Sequence, residues 1–573
     1  MTRLLSGLML LAIFAFSPSF YQQFYIPKLL VLYAMGVASV IYLATRRRLI
    51  LPSAGVLLFI GIFLAVAATL GIPSGSPLTS FMQWSFYLGA ALLYVAIINL
   101  QQTGREFLLR TVFAAALIQL ALEATQLLPI RDSLPPALLG HSDHIFGTLG
   151  NQEFLATLLG AGFFLGLHFH GQTGDRNKRL LLAGACAALL VGIAFAQNKG
   201  ALLFIGMYFL WRRVPSRQLF LAIGSAALLA AIFAFPESLK GRALLWLVAA
   251  TMFAQHFAAG VGLLQFENHY LDVVHGLFSA HPVLSEMLGG HTAMAMDTHN
   301  IFLQLGVELG LAGLLLSIAF AIHALRLVKA NPDSLGAALL FLLFKCLYTV
   351  VLTSITGMIV LVLLLAALST TRCIELTGWR RLAVSVSALP VVLALAVATF
   401  IGASDYHYQQ GARLLFMGQN ALAVESLNRA LTINPGNSDA YLALAQARYL
   451  QGDYDGMHNH LANALKYRKN KDTLKIAASM YLHARRYDDA FRLYQFLHET
   501  FPQHLTSLTK LASIYMLRGE YDKAYMMARL VLRTVPRSHA DSDAANTSTA
   551  RRIMADCDPF ISPALKTTPD TQP

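Results

Sequence analysis

The feature that most constrains this chain is a succession of apolar runs, each close to the roughly 20 residues needed to cross a bilayer. They fall near residues 4–20, 27–45, 53–71, 80–99, 107–127, 152–170, 180–196, 200–211, 218–235, 301–324, 335–352, 357–371 and 383–402. A bilayer offers no hydrogen-bond partners to bare backbone, so such runs are expected to fold as helices. The expectation is an all-α, polytopic transmembrane helical bundle of about 12–13 spans, with the run at 200–211 tilted or partial. The first run has the look of a signal sequence. It lacks a small-residue cleavage site and leads quickly into the second run, so it reads as a retained helix. Composition points the same way. Of the 573 residues, 56% are hydrophobic and 13% are charged, against about 25% charged in soluble chains.

Net charge is +13, which in a soluble chain would suggest nucleic acid. Here the basic residues sit mostly in short connections between apolar runs, so the implied partner is the lipid bilayer and no nucleic acid is expected. Arg46–Arg48, Arg105 and Arg110, Arg176 to Arg179, Arg212 to Arg217, Arg326 and Lys329, and Arg372 to Arg381 occupy alternate connections. All fall on one side if the N-terminus is cytoplasmic. That alternation puts the long polar loop 236–300, and everything beyond about 403, outside the cytoplasm. The four cysteines, Cys186, Cys346, Cys373 and Cys557, are scattered without CxxC spacing, which argues against a zinc site or a disulfide framework.

Beyond 403 the chain turns polar with a period near 34 residues. Ala423, Ala430 and Pro435 recur as Ala490 and Pro502, then as Ala524 and Pro536, while Gly418, Gly452 and Gly519 mark turns. Small residues are needed where paired helices touch closely, and proline closes each unit. The pattern resembles tetratricopeptide repeats, about four of them, forming a C-terminal α-solenoid over 403–536. Such surfaces bind peptides or proteins, so a periplasmic protein or peptide partner is expected. The alternative is a cap packed on the membrane domain. The tail at 537–573 is rich in Ser, Thr, Asp and Pro, and disorder is expected there.

Candidate chemistry lies on the non-cytoplasmic side. Asp297-Thr298-His299-Asn300-Ile301-Phe302-Leu303-Gln304, followed by Glu308-Leu309-Gly310, puts a histidine where the polar loop meets an apolar run. An imidazole there can move a proton near neutral pH. In the loop, Arg242 precedes Trp246 by one helical turn, ahead of Gly260-Val261-Gly262. A guanidinium binds phosphate through its planar fork, though Arg and Trp also serve as ordinary interfacial anchors. Gly147-Thr148-Leu149-Gly150-Asn151-Gln152-Glu153 leads into a helix whose N-terminal amides suit an anion, or which Asn151 simply caps. Gln197-Asn198-Lys199-Gly200-Ala201 is a polar break, where Lys199 faces an anion or snorkels to the headgroups. His141, His144, His256, His269, His275, His281 and His291 crowd the same side without a metal-ligand spacing, so no metal is expected.

The histidine motif resembles the H-N-x-(aromatic or aliphatic)-L-Q…E-x-G signature of the O-antigen ligase and polymerase superfamily, which includes bacterial protein O-oligosaccharyltransferases. Arg242-x3-Trp246 with Gly260-Val261-Gly262 is similar to the start of that family's large periplasmic loop, and Gly150-Asn151-Gln152-Glu153 to its Gly-Asn-Pro-Asn segment. Two positions depart from it. Asn198-Lys199-Gly200-Ala201 stands where Ser-Arg-Gly-Ala is usual, and Gln152-Glu153 replaces Pro-Asn.

The resemblance covers roughly 25–400. It implies a GT-C-like transmembrane glycan-transferase domain over 1–402 in the bacterial inner membrane. The implied donor is a glycan on a polyisoprenyl diphosphate, typically undecaprenyl diphosphate, and the acceptor is a hydroxyl of a protein, a lipid A core or another glycan. His299 would be the general base and Arg242 the group that stabilises the leaving diphosphate. Lys199, Asn151, Asn300, Gln304, Glu308 and Trp246 would contact diphosphate or glycan, with no cofactor. A membrane-anchored scaffold that recruits proteins through the repeats competes with this reading. A transporter would show inverted repeats with broken helices, and none is evident in the sequence.

Overall fold

The computed structural model describes residues 1–17, 19–20, 22–73, 77–127, 147–214, 216, 218–219, 224–225, 236–292, 295–369, 371–375, 385–534 and 541–561. The expected run at 218–235 lies largely outside them, as do His141 and His144. The described chain is helical throughout, with one two-stranded ribbon. The membrane part comprises α1 (Thr2–Phe14), α2 (Ile26–Ala44), β1 (Arg48–Pro52), α3 (Ala54–Val66), α4 (Pro77–Ile98), α5 (Gln102–Leu127), α6 (Gln152–Gln172), α7 (Arg176–Phe195) and α8 (Lys199–Arg213). It continues through α9 (Pro236–Gln255), α10 (Phe266–Ala280), α11 (Pro282–Leu288), α12 (Ile301–Ala330), α13 (Ser334–Cys346), α14 (Ile355–Leu368) and β2 (Thr371–Glu375). Eight described helices, counting α15 below, are long and apolar enough to cross a membrane; α1, α13 and α14 are shorter apolar helices.

Hydrogen bonds sort the connections onto two ends of the bundle. At one end, β1 pairs antiparallel with β2, Arg48 opposite Glu375. Asn99 Nδ2 donates to Ile50 O at 2.7 Å, and an Arg105 guanidinium N–H donates to Ala366 O at 3.2 Å. The arginine-rich connections after α2 and α14 therefore meet. At the other end, Leu263 N donates to Gly71 O at 3.2 Å and Ser80 Oγ to Leu263 O at 2.9 Å.

The 236–300 segment, expected as a loop, is mostly helical, built from α9, α10 and α11. Its Gly260-Val261-Gly262 turn seats on a break in α12. Gly310 has φ +64° and ψ −153°, which frees the preceding carbonyls. Val261 N donates to Val307 O at 2.9 Å and Gly262 N to Glu308 O at 3.0 Å. Glycine is required for the contact: a Cβ on Gly260 would stand 2.4 Å from the Glu308 carbonyl.

The repeats begin inside the last span. Helix α15 (Ala388–Phe416) runs unbroken through residue 402, where a domain boundary was expected. It pairs with α16 (Asn420–Ile433), and three further pairs follow: α17 (Ser438–Leu450) with α18 (Tyr454–Tyr467), α19 (Lys471–His483) with α20 (Tyr487–Thr500), and α21 (Leu505–Leu517) with α22 (Tyr521–Arg533). Gly418, Gly452 and Gly519 hold left-handed turns at φ +74°, +76° and +75°. The third pair has Arg485 at that place, with φ +59°. Of the tail expected to be disordered, residues 537–540 and 562–573 lie outside the described residues, and the part between them is ordered into a helix. Residues Asp541–Cys557 form α23, which buries Ala550, Ile553 and Cys557 in one cluster with Leu508, Ala524 and Val531.

Part of the repeat surface is occupied by the chain itself. Helix α10 packs on α20, and its buried stripe of Tyr270, Leu271, Val274 and Phe278 shares a core with Tyr494 and Leu497. Around this core Lys469 pairs with Asp272, Asn470 Nδ2 donates to Glu267 Oε1 at 2.8 Å, and His275 lies over Phe496 with ring centroids 4.9 Å apart.

Candidate active site

The end of the bundle that carries α9 gathers several helix termini. Asn300 caps α12, its Oδ1 accepting from Phe302 N at 2.9 Å and Leu303 N at 3.1 Å. Its Nδ2 donates to Leu347 O at 3.0 Å, which ties α12 to the end of α13. Asn151 caps α6 by accepting from Glu153 N at 2.7 Å, and Asn198 caps α8 by accepting from Ala201 N at 3.0 Å. The N-termini of α6, α8 and α12 thus open at the same end of the bundle, and each carries a partial positive charge.

His299 stands one residue before the α12 cap, exposed, with φ +50°. A left-handed backbone costs a β-carbon residue about 1–2 kcal/mol, and such strain gathers at functional sites. Asp297 holds the conformation. Its Oδ1 accepts from His299 N at 2.8 Å and lies 3.0 Å from His299 Nδ1. With the Nδ1–H donating a hydrogen bond to the carboxylate, Nε2 of the neutral ring carries the lone pair. The hydrogen bond to Asp297 raises the imidazole pKa above its ordinary value, and partial burial opposes this. The fields of Arg242 and Glu153 both reach His299.

Arg242, in the first half of α9, lies 5.6 Å from the centroid of the Tyr348 ring. The same ring has the Lys345 ammonium at 4.8 Å and packs so closely on Gly200 that a Cβ there would meet the Tyr348 hydroxyl at 2.5 Å. Tyr348 is therefore the hub that brings Gly200 in the first turn of α8, Lys345 and Arg242 together. Its hydroxyl is buried without a hydrogen-bond partner among the described residues. One helical turn after Arg242, the buried Trp246 Nε1 also lacks one among them.

Beneath the hub lies an ion pair. Lys345, with 0% of its side chain exposed, bonds Glu153 Oε2, which also accepts from Asn198 Nδ2 at 2.8 Å. Lys345 sits in the last turn of α13 and Glu153 in the first turn of α6, so each charge complements its helix dipole. Sequence reasoning missed Lys345, Tyr348 and the role of Asp297. A lysine inside the apolar run 335–352 was the available signal, because a cation at membrane depth needs a partner.

Two residues expected as substrate contacts lie inside the protein. Gln304 and Glu308 are 4% and 2% exposed and are committed internally. Gln304 Oε1 accepts from Thr298 N at 2.9 Å, Gln304 Nε2 donates to Glu308 Oε1 at 2.7 Å, and that oxygen accepts from Leu264 N at 3.0 Å. They brace the segments on either side of the histidine from behind. Asn151 and Asn300 likewise spend their side chains as caps.

An apolar groove of about 530 Å³ runs along α12 from Ile301 and Phe302 to His323 and Arg326 at the other end, walled by Phe63 and Tyr94.

Fold and site together define a polytopic helical membrane protein with a His–Asp pair, an arginine and a buried ion pair at one end of its bundle and an appended helical-repeat array. Residues 144–318 match the O-antigen ligase family model, a span that contains Glu153, Lys199, Arg242 and His299. At the level of that family the activity is the transfer of a glycan at a membrane. The chain is also similar to a TPR repeat-containing protein of Methanocaldococcus jannaschii, 28% identical over 115 residues, which is 20% of this chain and 20% of that protein. The match thus spans about a fifth of that relative's length. Among solved structures, the Cut9-Hcn1 hetero-tetramer of the APC/C aligns at 14% identity and a TM-score of 0.23, over 81% of this chain and 76% of that one.

Proposed function

We propose that this protein is an inverting glycosyltransferase of the outer face of the bacterial inner membrane. It moves a glycan from an undecaprenyl-diphosphate-linked donor to an acceptor hydroxyl. The observation that carries the reading is a His–Asp pair, 3.0 Å apart, whose neighbour Asn300 is bonded to Leu347, next to the Tyr348 ring that Arg242 faces at 5.6 Å. His299 Nε2 takes the proton of the acceptor hydroxyl as its oxygen bonds the anomeric carbon. The bond from that carbon to the phosphate oxygen breaks on the opposite face, and the diphosphate leaves with the electron pair. A positioned base contributes about 10²–10⁴-fold. Arg242 and Lys199 hold the diphosphate and stabilise the charge that develops as it leaves, helped by the three helix N-termini. The groove suits an isoprenoid chain. The arginine-rich connections that meet at the β1–β2 end support a cytoplasmic assignment for that end, which makes the site periplasmic.

The test is transfer from a lipid-linked oligosaccharide by the purified full chain, read by mass spectrometry. Protein, lipid A core and free glycan are supplied as competing acceptors. His299→Ala and Arg242→Ala are expected to lower product formation by about 10²–10⁴-fold and 10²–10³-fold while the protein still inserts. Unchanged transfer by both variants removes the enzyme reading and leaves the scaffold.

A further inference from the structure

The ion pair under the site has a property that a purely structural pair does not need: it is lopsided. Lys345 is completely enclosed, whereas the Glu153 side chain keeps 27% exposure. Both hydrogen bonds to the Glu153 carboxylate among the described residues, from Lys345 and Asn198, fall on Oε2. The second oxygen is left for something else. Glu153 is bonded to Lys345, whose ammonium lies 4.8 Å from the Tyr348 ring that Arg242 also faces, so the open side of the carboxylate belongs to the same site. An ionised carboxylate only accepts hydrogen bonds. It repels a diphosphate, and it fits the hydroxyl or amide N–H groups of a sugar.

Resting on the reading above, we propose that Glu153 recognises the sugar directly attached to the donor diphosphate, accepting a hydrogen bond from one of its hydroxyl or N–H groups. Lys345 and Asn198 are positioning residues that fix the carboxylate. The placement follows from the hub. Arg242 and the α8 N-terminus at Gly200 converge on Tyr348, Lys345 lies against the same ring, and Glu153 is bonded to Lys345. A diphosphate held by Arg242 and that helix N-terminus therefore brings its first sugar over Glu153. The acceptor hydroxyl must instead approach from the His299 side.

The experiment uses the full chain in lipid nanodiscs with three probes: undecaprenyl diphosphate alone, the same lipid carrying a glycan, and a glycan-bearing lipid whose first sugar lacks one hydroxyl or amide. Glu153→Gln is expected to weaken binding of the glycosylated lipid, and to raise its KM, by about ten- to a hundredfold, the range for a lost hydrogen bond to a charged group. Binding of the bare diphosphate should change less than about twofold, and the preference for the native over the trimmed donor should collapse. Glu153→Gln alone strands the enclosed Lys345 ammonium, so the decisive variant is Glu153→Gln with Lys345→Met, which removes both charges with little change in volume. It should fold and still fail to discriminate donors. If this double variant recovers native KM and discrimination, or if Glu153→Gln alters only the acceptor KM, the proposal is overturned. A chain that transfers no glycan, yet binds the glycosylated lipid more tightly than the bare one and loses that difference in Glu153→Gln, supports recognition while removing the transferase reading. Equal binding of both lipids by the unaltered chain overturns the recognition proposal itself.

Discussion

His299 Nδ1 lies 3.0 Å from Asp297 Oδ1, and the same oxygen also accepts from the histidine's own backbone N–H. One carboxylate therefore fixes both the left-handed backbone of the base and its tautomer. The carboxylate also favours imidazolium, which raises the pKa above the free value of about 6.5. A general base works only when neutral. Activity is therefore expected to rise with pH along a limb centred above that of a free imidazole. Asp297→Asn removes the anion, so the limb should move to lower pH. It also leaves the wrong nitrogen protonated, and kcat should fall by about 10²–10⁴-fold. A pH profile of kcat/KM for the two proteins checks both effects, and an unshifted limb in Asp297→Asn counts against the pairing.

Arg242 is assigned to the leaving diphosphate, where loss of a transition-state donor costs about 10²–10³ in kcat. Arg242→Ala should show that loss. Arg242→Lys should recover only part of it, because an ammonium lacks the paired donors of a guanidinium. Steady-state kinetics with the lipid-linked donor separates the outcomes. Full recovery by lysine would mean that charge alone suffices.

Much of the membrane architecture and the repeat period were legible in the sequence, because a bilayer span and a stacked helical pair each impose a period that composition displays. The motif residues His299, Arg242 and Lys199 were legible as types in context. What was not legible depends on distance along the chain. Glu153 and Lys345 are 192 residues apart, and nothing local marks them as partners. Gln304 and Glu308 stand at i and i+4 on one helix, so the sequence shows that they adjoin each other. It does not show that Thr298 N donates to Gln304 Oε1 and Leu264 N to Glu308 Oε1. The segment 236–300 looked like a loop because no run in it is long enough to span. The residues Phe266, Tyr270, Val274 and Phe278 nevertheless carry a helical stripe.

The Gly260 turn should be intolerant of a side chain. A Cβ would stand 2.4 Å from the Glu308 carbonyl, and Gly260 sits at φ +73°. Backbone on both sides leaves no flexible atom to yield. Gly260→Ala is expected to cost more than about 2 kcal/mol and to lower transfer by freeing the α9–α10 connection from α12. Thermal unfolding of the purified variant, alongside hydrogen exchange at Val261 and Gly262, tests this. Retained protection of those two amides would show that the turn adapts.

Docking of α10 on the repeats should depend on its apolar stripe more than on its charges. Lys469 and Asp272 keep side-chain exposures of 35% and 55%, and exposed pairs contribute about 0–1 kcal/mol. Asp272→Ala should therefore leave the repeats in place. Val274, fully buried, is different. Val274→Asp places an unpaired charge in the shared core, at a cost of several kcal/mol, and should release the array. Cysteine crosslinking between α10 and α20 distinguishes the two variants, and undocking by Asp272→Ala would reverse the order of importance.

The third repeat turn carries a removable strain. Gly418, Gly452 and Gly519 occupy left-handed turns, and Arg485 holds the same conformation at φ +59°. A residue with a β-carbon there costs about 1–2 kcal/mol relative to its ordinary basin, while glycine gives back part of that through its freer unfolded chain. The net expectation for Arg485→Gly is stabilisation of the repeats by roughly 0.5–1 kcal/mol. The slowest-exchanging amides of α19 and α20 in the full-length protein provide the measurement, and their exchange should slow about two- to fivefold if it proceeds through opening of the pair. Faster exchange would mean that the arginine side chain contributes more to the turn than its backbone strain costs.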